Sequence, residues 1–232
     1  MEQKQHKETF SQISNPNILT PEFIKGCIKI VNCNSRLGEI QAAKEALEIT
    51  SNLGSLPGVS ALCQAMISGT NAQRNNINRL EELELEGMEA LKSKQFTRGL
   101  EILDQALAIS GSCLRIKMAR GDCLAHLGRY VEGAKAASSI LQQDQRSTGA
   151  LFLRGFCLYH KNNLDRALTH FGQVLQINKD HERAKTLLNK VRAFREKKEQ
   201  AAKASREEQF ETAENLLTEA LNIDPKNKVF NN

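Results

Sequence analysis

The segments MARGDCLAHLGRY at 118–130 and FLRGFCLYH at 152–160 set Gly121 and Gly155 34 residues apart in matching runs of small and apolar residues. LELEGMEAL at 83–91 sets Gly87 another 34 residues earlier. That period is the length of two antiparallel helices with their turns, a unit that cannot bury its apolar face alone and does so by stacking on its neighbours. The fold expected is all-α, a helical-hairpin solenoid, and such solenoids hold other proteins on extended surfaces.

With the three glycines at the eighth position of a tetratricopeptide-length repeat, the register predicts the other packing positions. The twentieth reads Gly99, Gly133 and Ala167, the twenty-seventh Ala106, Ile140 and Val174, and the bulky seventeenth Phe96, Tyr130 and Leu164. Turns are expected near 93–95, 127–129 and 161–163, so residues 80–190 read as a complete three-repeat array.

Two further hairpins carry the same marks out of phase. In the C-terminal one, Ala201, Phe210, Ala213, Leu217, Ala220 and Pro225 fit positions eight to thirty-two. Ala201 follows Gly155 by 46 residues, 12 more than one repeat. Twelve added helical residues span about 18 Å, which predicts one long helix over 181–205; residues 191–232 then hold this extension and the first hairpin of a further array.

The N-terminal hairpin, about 21–50, is marked by Val31, Gly38, Ile40, Ala43 and Leu47, and residues 1–50 read as the end of an earlier array. Residues 51–79 are expected to form a linker, SNLGSLPGVS, and a capping helix around 60–76. The polar residues 1–19 are expected to be a frayed helix.

Composition narrows the function classes. The net charge of +5 is interleaved with acids along the helical segments, and no Trp is present, which suits solvated helix faces over a core of Ala, Leu and Gly. The densest basic stretch, KVRAFREKKEQAAK at 190–203, lacks the interleaved aromatics of a nucleic-acid module. No partner of that class, and no membrane, is expected.

No signal peptide or long apolar run occurs, so the location expected is cytoplasmic, with a nuclear one also compatible. The six cysteines form no CxxC pair, and Cys33, Cys123 and Cys157 share one repeat position, where buried reduced thiols are expected. His126 and His160 likewise share a position, which repeat register explains better than metal ligation. No phosphate loop, HExxH or nucleophile elbow is present, so neither an enzyme nor a cofactor or metal site is expected.

Three stretches carry a more specific likeness: LRIKMARGDCLAHLGRYVEGAKAASSIL, ALFLRGFCLYHKNNLDRALTHFGQVLQINKDHERAK and KKEQAAKASREEQFETAENLLTEALNIDPKN. With the helix extension before Ala201, they resemble the tetratricopeptide-repeat J-domain co-chaperones of DnaJ subfamily C. The resemblance implies a scaffold for heat-shock chaperones of the 70 and 90 kDa families and for client proteins. A J domain acts through a His-Pro-Asp motif, and none of Pro16, Pro21, Pro57 or Pro225 follows a histidine. The alternative reading is a generic tetratricopeptide scaffold for a complex outside chaperone biology, with an RNA-associated helical repeat as a weaker third.

Chaperone-binding arrays of this type hold a peptide's terminal and side-chain carboxylates with a clamp of Lys, Asn and basic donors on a concave face. Lys25 and Lys29 match its third-repeat pair, spaced i,i+4 on one helix face. Lys198 matches its first position, but Ala202 stands where the pattern has Asn. In the 80–190 array the matching positions are Glu84, Met88, Ala119, Gly149 and Leu153, which provide no such donor.

Overall fold

Eleven helices follow one another among residues 19–224, the residues described in this computed structural model. They are α1 (Pro21–Leu37), α2 (Ile40–Leu53), α3 (Ala61–Ser68), α4 (Asn71–Lys92), α5 (Phe96–Ile109) and α6 (Leu114–His126). There follow α7 (Tyr130–Leu141), α8 (Thr148–His160), α9 (Leu164–Ile177), α10 (Glu182–Arg206) and α11 (Phe210–Ile223). Pro225 and residues 1–18 lie outside the described residues.

One turn recurs in five hairpins. The residue at position fifteen is left-handed each time: Gly38 (φ 78°), Lys94 (59°), Gly128 (77°), Asn162 (58°) and Glu208 (60°). The next N–H closes the helix by bonding the carbonyl five residues back, as Glu39 does to Asn34 (2.9 Å), Gln95 to Ala90 (2.8 Å) and Gln209 to Ala204 (2.9 Å). That bond caps orphan carbonyls at the first helix's end and reverses the chain. Each second helix then starts at the bulky seventeenth residue: Ile40, Phe96, Tyr130, Leu164 or Phe210.

The eighth-position glycines are where helices touch. A Cβ on Gly121 would lie 2.6 Å from Leu153 Cδ2, and one on Gly155 2.9 Å from the Phe171 ring. At Gly87 the obstacle is Leu103, at 2.7 Å. A single added carbon there must displace the facing leucine or phenylalanine, and a large side chain forces the helices apart.

The chain forms two compact units, one ending at Ile116 and the other beginning at Lys117. In the first, Ile24 and Cys27 of α1 pack with Cys63 and Ile67 of α3, while Val31, Ala43 and Leu47 meet Ile77 of α4. The α1–α2 turn is also stitched to the loop after α5. Ser110 Oγ donates to the Arg36 carbonyl at 3.0 Å, and Arg115 Nη2 donates to the Gly38 carbonyl at 3.2 Å and to Glu84 Oε2 at 2.9 Å.

In the second unit, Leu151, Phe171 and Val174 pack with Leu188, Val191 and Phe194 of α10 and with Ala220 of α11. Helix α10 is continuous for 25 residues, against 13 in α8. His181 starts it by accepting the Ala184 N–H on Nδ1 at 3.1 Å. No helix among the described residues is long and apolar enough to cross a membrane.

Two expectations need correction. The capping helix around 60–76 does not exist as one element: α3 stops at Ser68, Gly69 and Thr70 interrupt it, and the residues from Asn71 open the 22-residue α4. Cys33 is exposed, whereas Cys123 and Cys157 are fully buried. The cause is the side of the helix it occupies. Cys157 seats its Sγ 2.9 Å from where a Gly133 Cβ would be, on the hairpin before it. No described hairpin precedes α1, whose buried residues Ile24, Cys27 and Val31 all face onward.

Gly121→Leu and Gly155→Leu are each expected to cost about 1–3 kcal/mol, read as a lower midpoint in urea denaturation followed by circular dichroism. Burial pushes the Cys123 thiol up to about 11 and the Cys157 thiol up to about 12. In native buffer at pH 7.5 (about a unit below a free thiol) an alkylating reagent should label Cys33 rapidly and spare Cys123 and Cys157, which should react only after denaturation.

Candidate partner-binding surfaces

The first helices of the second unit present a mixed aromatic and charged face. Phe152 of α8 is the centre of it: the Arg183 guanidinium lies 4.8 Å over its ring, and the His181 ring stacks at 5.2 Å. Phe156 and Leu187 are half-buried beside this platform. Asp122 of α6 feels the charge of Arg183, yet burial pushes its carboxyl up to about 6. Phe152 itself is buried, 8% exposed, so what reaches the surface here is the Arg183 cation, the edges of Phe156 and Leu187, and a weakly acidic carboxyl.

The clamp-like residues are dispersed. Lys25 and Lys29 are exposed on α1 in the first unit and make no ion pair among the described residues. Lys198, on α10 in the second, is half-buried and donates to Asn162 Oδ1 at 3.2 Å, at the left-handed position of the α8–α9 turn. Of the matching positions in the 80–190 span, Ala119 and Leu153 are buried and Glu84 is engaged by Arg115. Among the described residues no cluster of His, Cys, Asp and Glu could hold a metal.

The basic run 190–203 is largely occupied in internal pairs. Arg195 bonds Asp165 at 2.9 Å, Lys190 bonds Asp224 at 3.0 Å, Lys197 pairs with Glu219, and Lys203 lies 3.8 Å from Glu207.

The tetratricopeptide-repeat family pattern matches residues 85–149 and again 149–191. The chain is a tetratricopeptide-repeat protein. It is homologous to DnaJ homolog subfamily C member 7 of Homo sapiens, 32% identical over 211 residues, which cover 90% of this chain and 40% of the relative. A Dictyostelium discoideum homolog of that protein is 28% identical over 132 residues, 57% of this chain and 24% of the relative. The chain thus spans about 40% of the length of the first curated relatives it matches. Among solved structures, the tetratricopeptide domain of P58(IPK) superposes with a TM-score of 0.67 at 14% identity, over 88% of this chain and 55% of that one. That likeness shows the fold.

One feature of this repeat protein has no short-range sequence signal. Asp224, at the end of α11, is buried, accepts the Tyr159 hydroxyl of α8 and takes the ammonium of Lys190. Burial acts to raise its carboxyl, but the bonds from Tyr159 and Lys190 outweigh it and hold the group below the usual carboxylate range. Beside it burial lowers the His160 imidazole against the pull of Asp224, and its ring stacks on Tyr130 at 4.6 Å. The last repeat marker, NIDP at 222–225, could have suggested a cap, but not its partners.

A depressed carboxylate adds stability above its unfolded value, near pH 4, and that stability is lost as pH falls through the folded value. Tyr159→Phe should therefore cost about 1.5–3 kcal/mol at neutral pH, and its deficit relative to the parent should shrink below about pH 4. Urea denaturation at both pH values checks this; a deficit that does not depend on pH would assign the loss to packing alone.

Proposed function

We propose that the chain is a non-enzymatic scaffold of the co-chaperone type, binding heat-shock chaperones of the 70 and 90 kDa families and their clients through its repeat surfaces. The observation that carries this reading is homology to a DnaJ homolog over 90% of the chain. Residues 80–190 act in it as one three-repeat array, flanked by hairpins belonging to further arrays. The location that suits such partners is cytoplasmic or nuclear.

The exposed Arg183, with half-buried Phe156 and Leu187 beside it, supports peptide contact through a cation and apolar area. Lys25 and Lys29 supply part of a carboxylate clamp, and Lys198 one donor of another, so terminal-carboxylate recognition by them is weak. Each missing charge-assisted bond costs about 1.5–3 kcal/mol, and three together lower affinity by roughly a thousandfold or more.

Immobilised chain should capture purified chaperone of at least one of the two families, and Arg183→Glu with Leu187→Ser should weaken that capture about tenfold. Amidating a chaperone tail peptide, or changing Lys25→Ala and Lys29→Ala, should alter its calorimetric affinity by less than about threefold, because no complete clamp is at work. Failure to capture either chaperone would overturn the functional reading, whereas a tenfold loss on amidation would reveal a working clamp.

A further inference from the structure

Arg154 of α8 and Lys161 at its C-cap are two turns apart on one helix, Lys135 lies on α7, and the fold gathers the three around one groove of about 400 Å³ in the second unit. Between these cations the lining is apolar: Val131, 51% exposed, Ala134, Leu158 and the buried Cys157. No Asp or Glu lines it.

The nearby acids are hydrogen-bonded to other cations, although Glu132 also feels the charge of Lys135 one turn away. Glu132 takes both guanidinium contacts from Arg129 at 2.7 Å, and Asp165 takes Arg195 at 2.9 Å. Among the described residues, none of Lys135, Arg154 and Lys161 forms an ion pair. This is the reverse of the 190–203 run, whose cations look like a binding patch in the sequence and are paired in the structure.

We propose that this groove docks an acidic peptide segment of a partner protein, with an apolar side chain against Val131 and Leu158 and side-chain carboxylates on Lys135, Arg154 and Lys161. Three like charges converging on an apolar lining make a positive potential that attracts an anion and is relieved by one. An Arg fork with lysines beside it gives a carboxylate charge-assisted bonds, and the apolar lining adds area that an inorganic anion could not use.

The site is distinct from the Phe152 platform, since Arg154 follows Phe152 by two residues and so lies about 200° around α8. It reads side-chain carboxylates and needs no free C-terminus. A protein partner fits better than a single-stranded nucleic acid. The aromatic ring at the groove, Tyr130, is already stacked on His160 at 4.6 Å, which occupies the face a base would use.

The probe is a peptide of about a dozen residues, blocked at both ends, with leucines flanked by glutamates, read by fluorescence anisotropy against the full chain. The glutamine counterpart should bind at least about tenfold more weakly. The Lys135→Glu, Arg154→Glu, Lys161→Glu variant should lose the glutamate probe by a similar factor and gain the lysine counterpart. Lys135→Glu alone, at an exposed position, should weaken the glutamate probe about threefold with an unchanged helical spectrum, which separates docking from folding. Equal binding of the glutamate and glutamine probes, or a single variant indistinguishable from the parent, would overturn the proposal. So would a groove that binds single-stranded RNA and not the glutamate probe.

Discussion

The close approach of a glycine to a large apolar side chain sets the spacing on which the rest of the molecule depends. At Gly87, Gly121 and Gly155 the backbone of a first helix lies against Leu103, Leu153 or Phe171, with no room for a Cβ. Dispersion between such surfaces falls steeply with separation, so a shift of half an ångström would forfeit much of it along the whole helix pair. Once the helices sit that close, the twentieth position must also be small, and Gly133 is small because the Cys157 sulfur fills its place. The alternation of glycine with leucine and phenylalanine is thus a set of matched depths rather than a composition.

The same matching explains which parts of the structure are legible in the chain. Helix boundaries follow from position seventeen, because a bulky residue there marks the start of each second helix. The turn between is less visible: its left-handed residue is glycine in two hairpins but Lys94, Asn162 and Glu208 in the others. The six-residue capping bond and the short span force that conformation whichever side chain occupies it, at a cost of about 1–2 kcal/mol where there is a Cβ. The break at Gly69 and Thr70 was legible: SGTN at 68–71 joins a stop glycine to poor helix formers, a signal that the expectation of one capping helix passed over.

Contacts of long sequence separation were not legible at all. Tyr159 and Asp224 are 65 residues apart, and each reads locally as an ordinary repeat residue. Arg115 and Glu84 show the same limit: the acid at this clamp register position is plain in the sequence, but its arginine partner 31 residues later is not. For binding surfaces the charge run in the sequence was the least informative signal, because i,i+4 and cross-helix pairing neutralises it, while Lys135, Arg154 and Lys161 lie on two neighbouring helices outside that run. The register could rank candidate clamp positions, but it could not show that Lys198 is already bonded to Asn162.

Helix α10 belongs to two hairpins at once. Its early residues Leu188 and Val191 pack with α9, and its later residues Ala201 and Ala204 are buried where α11 runs back along it. In most repeat arrays the loop between hairpins is the place where a protease can cut or where one end can melt while the rest stays folded. Here that junction is replaced by about 37 Å of uninterrupted helix. The terminal hairpin and the α8–α9 hairpin therefore share a cooperative unit, and loss of one withdraws the hydrogen-bonded frame of the other. The second unit has no intrinsic nicking site at this joint, and it passes a disturbance at its far end along a rod instead of dissipating it in a hinge.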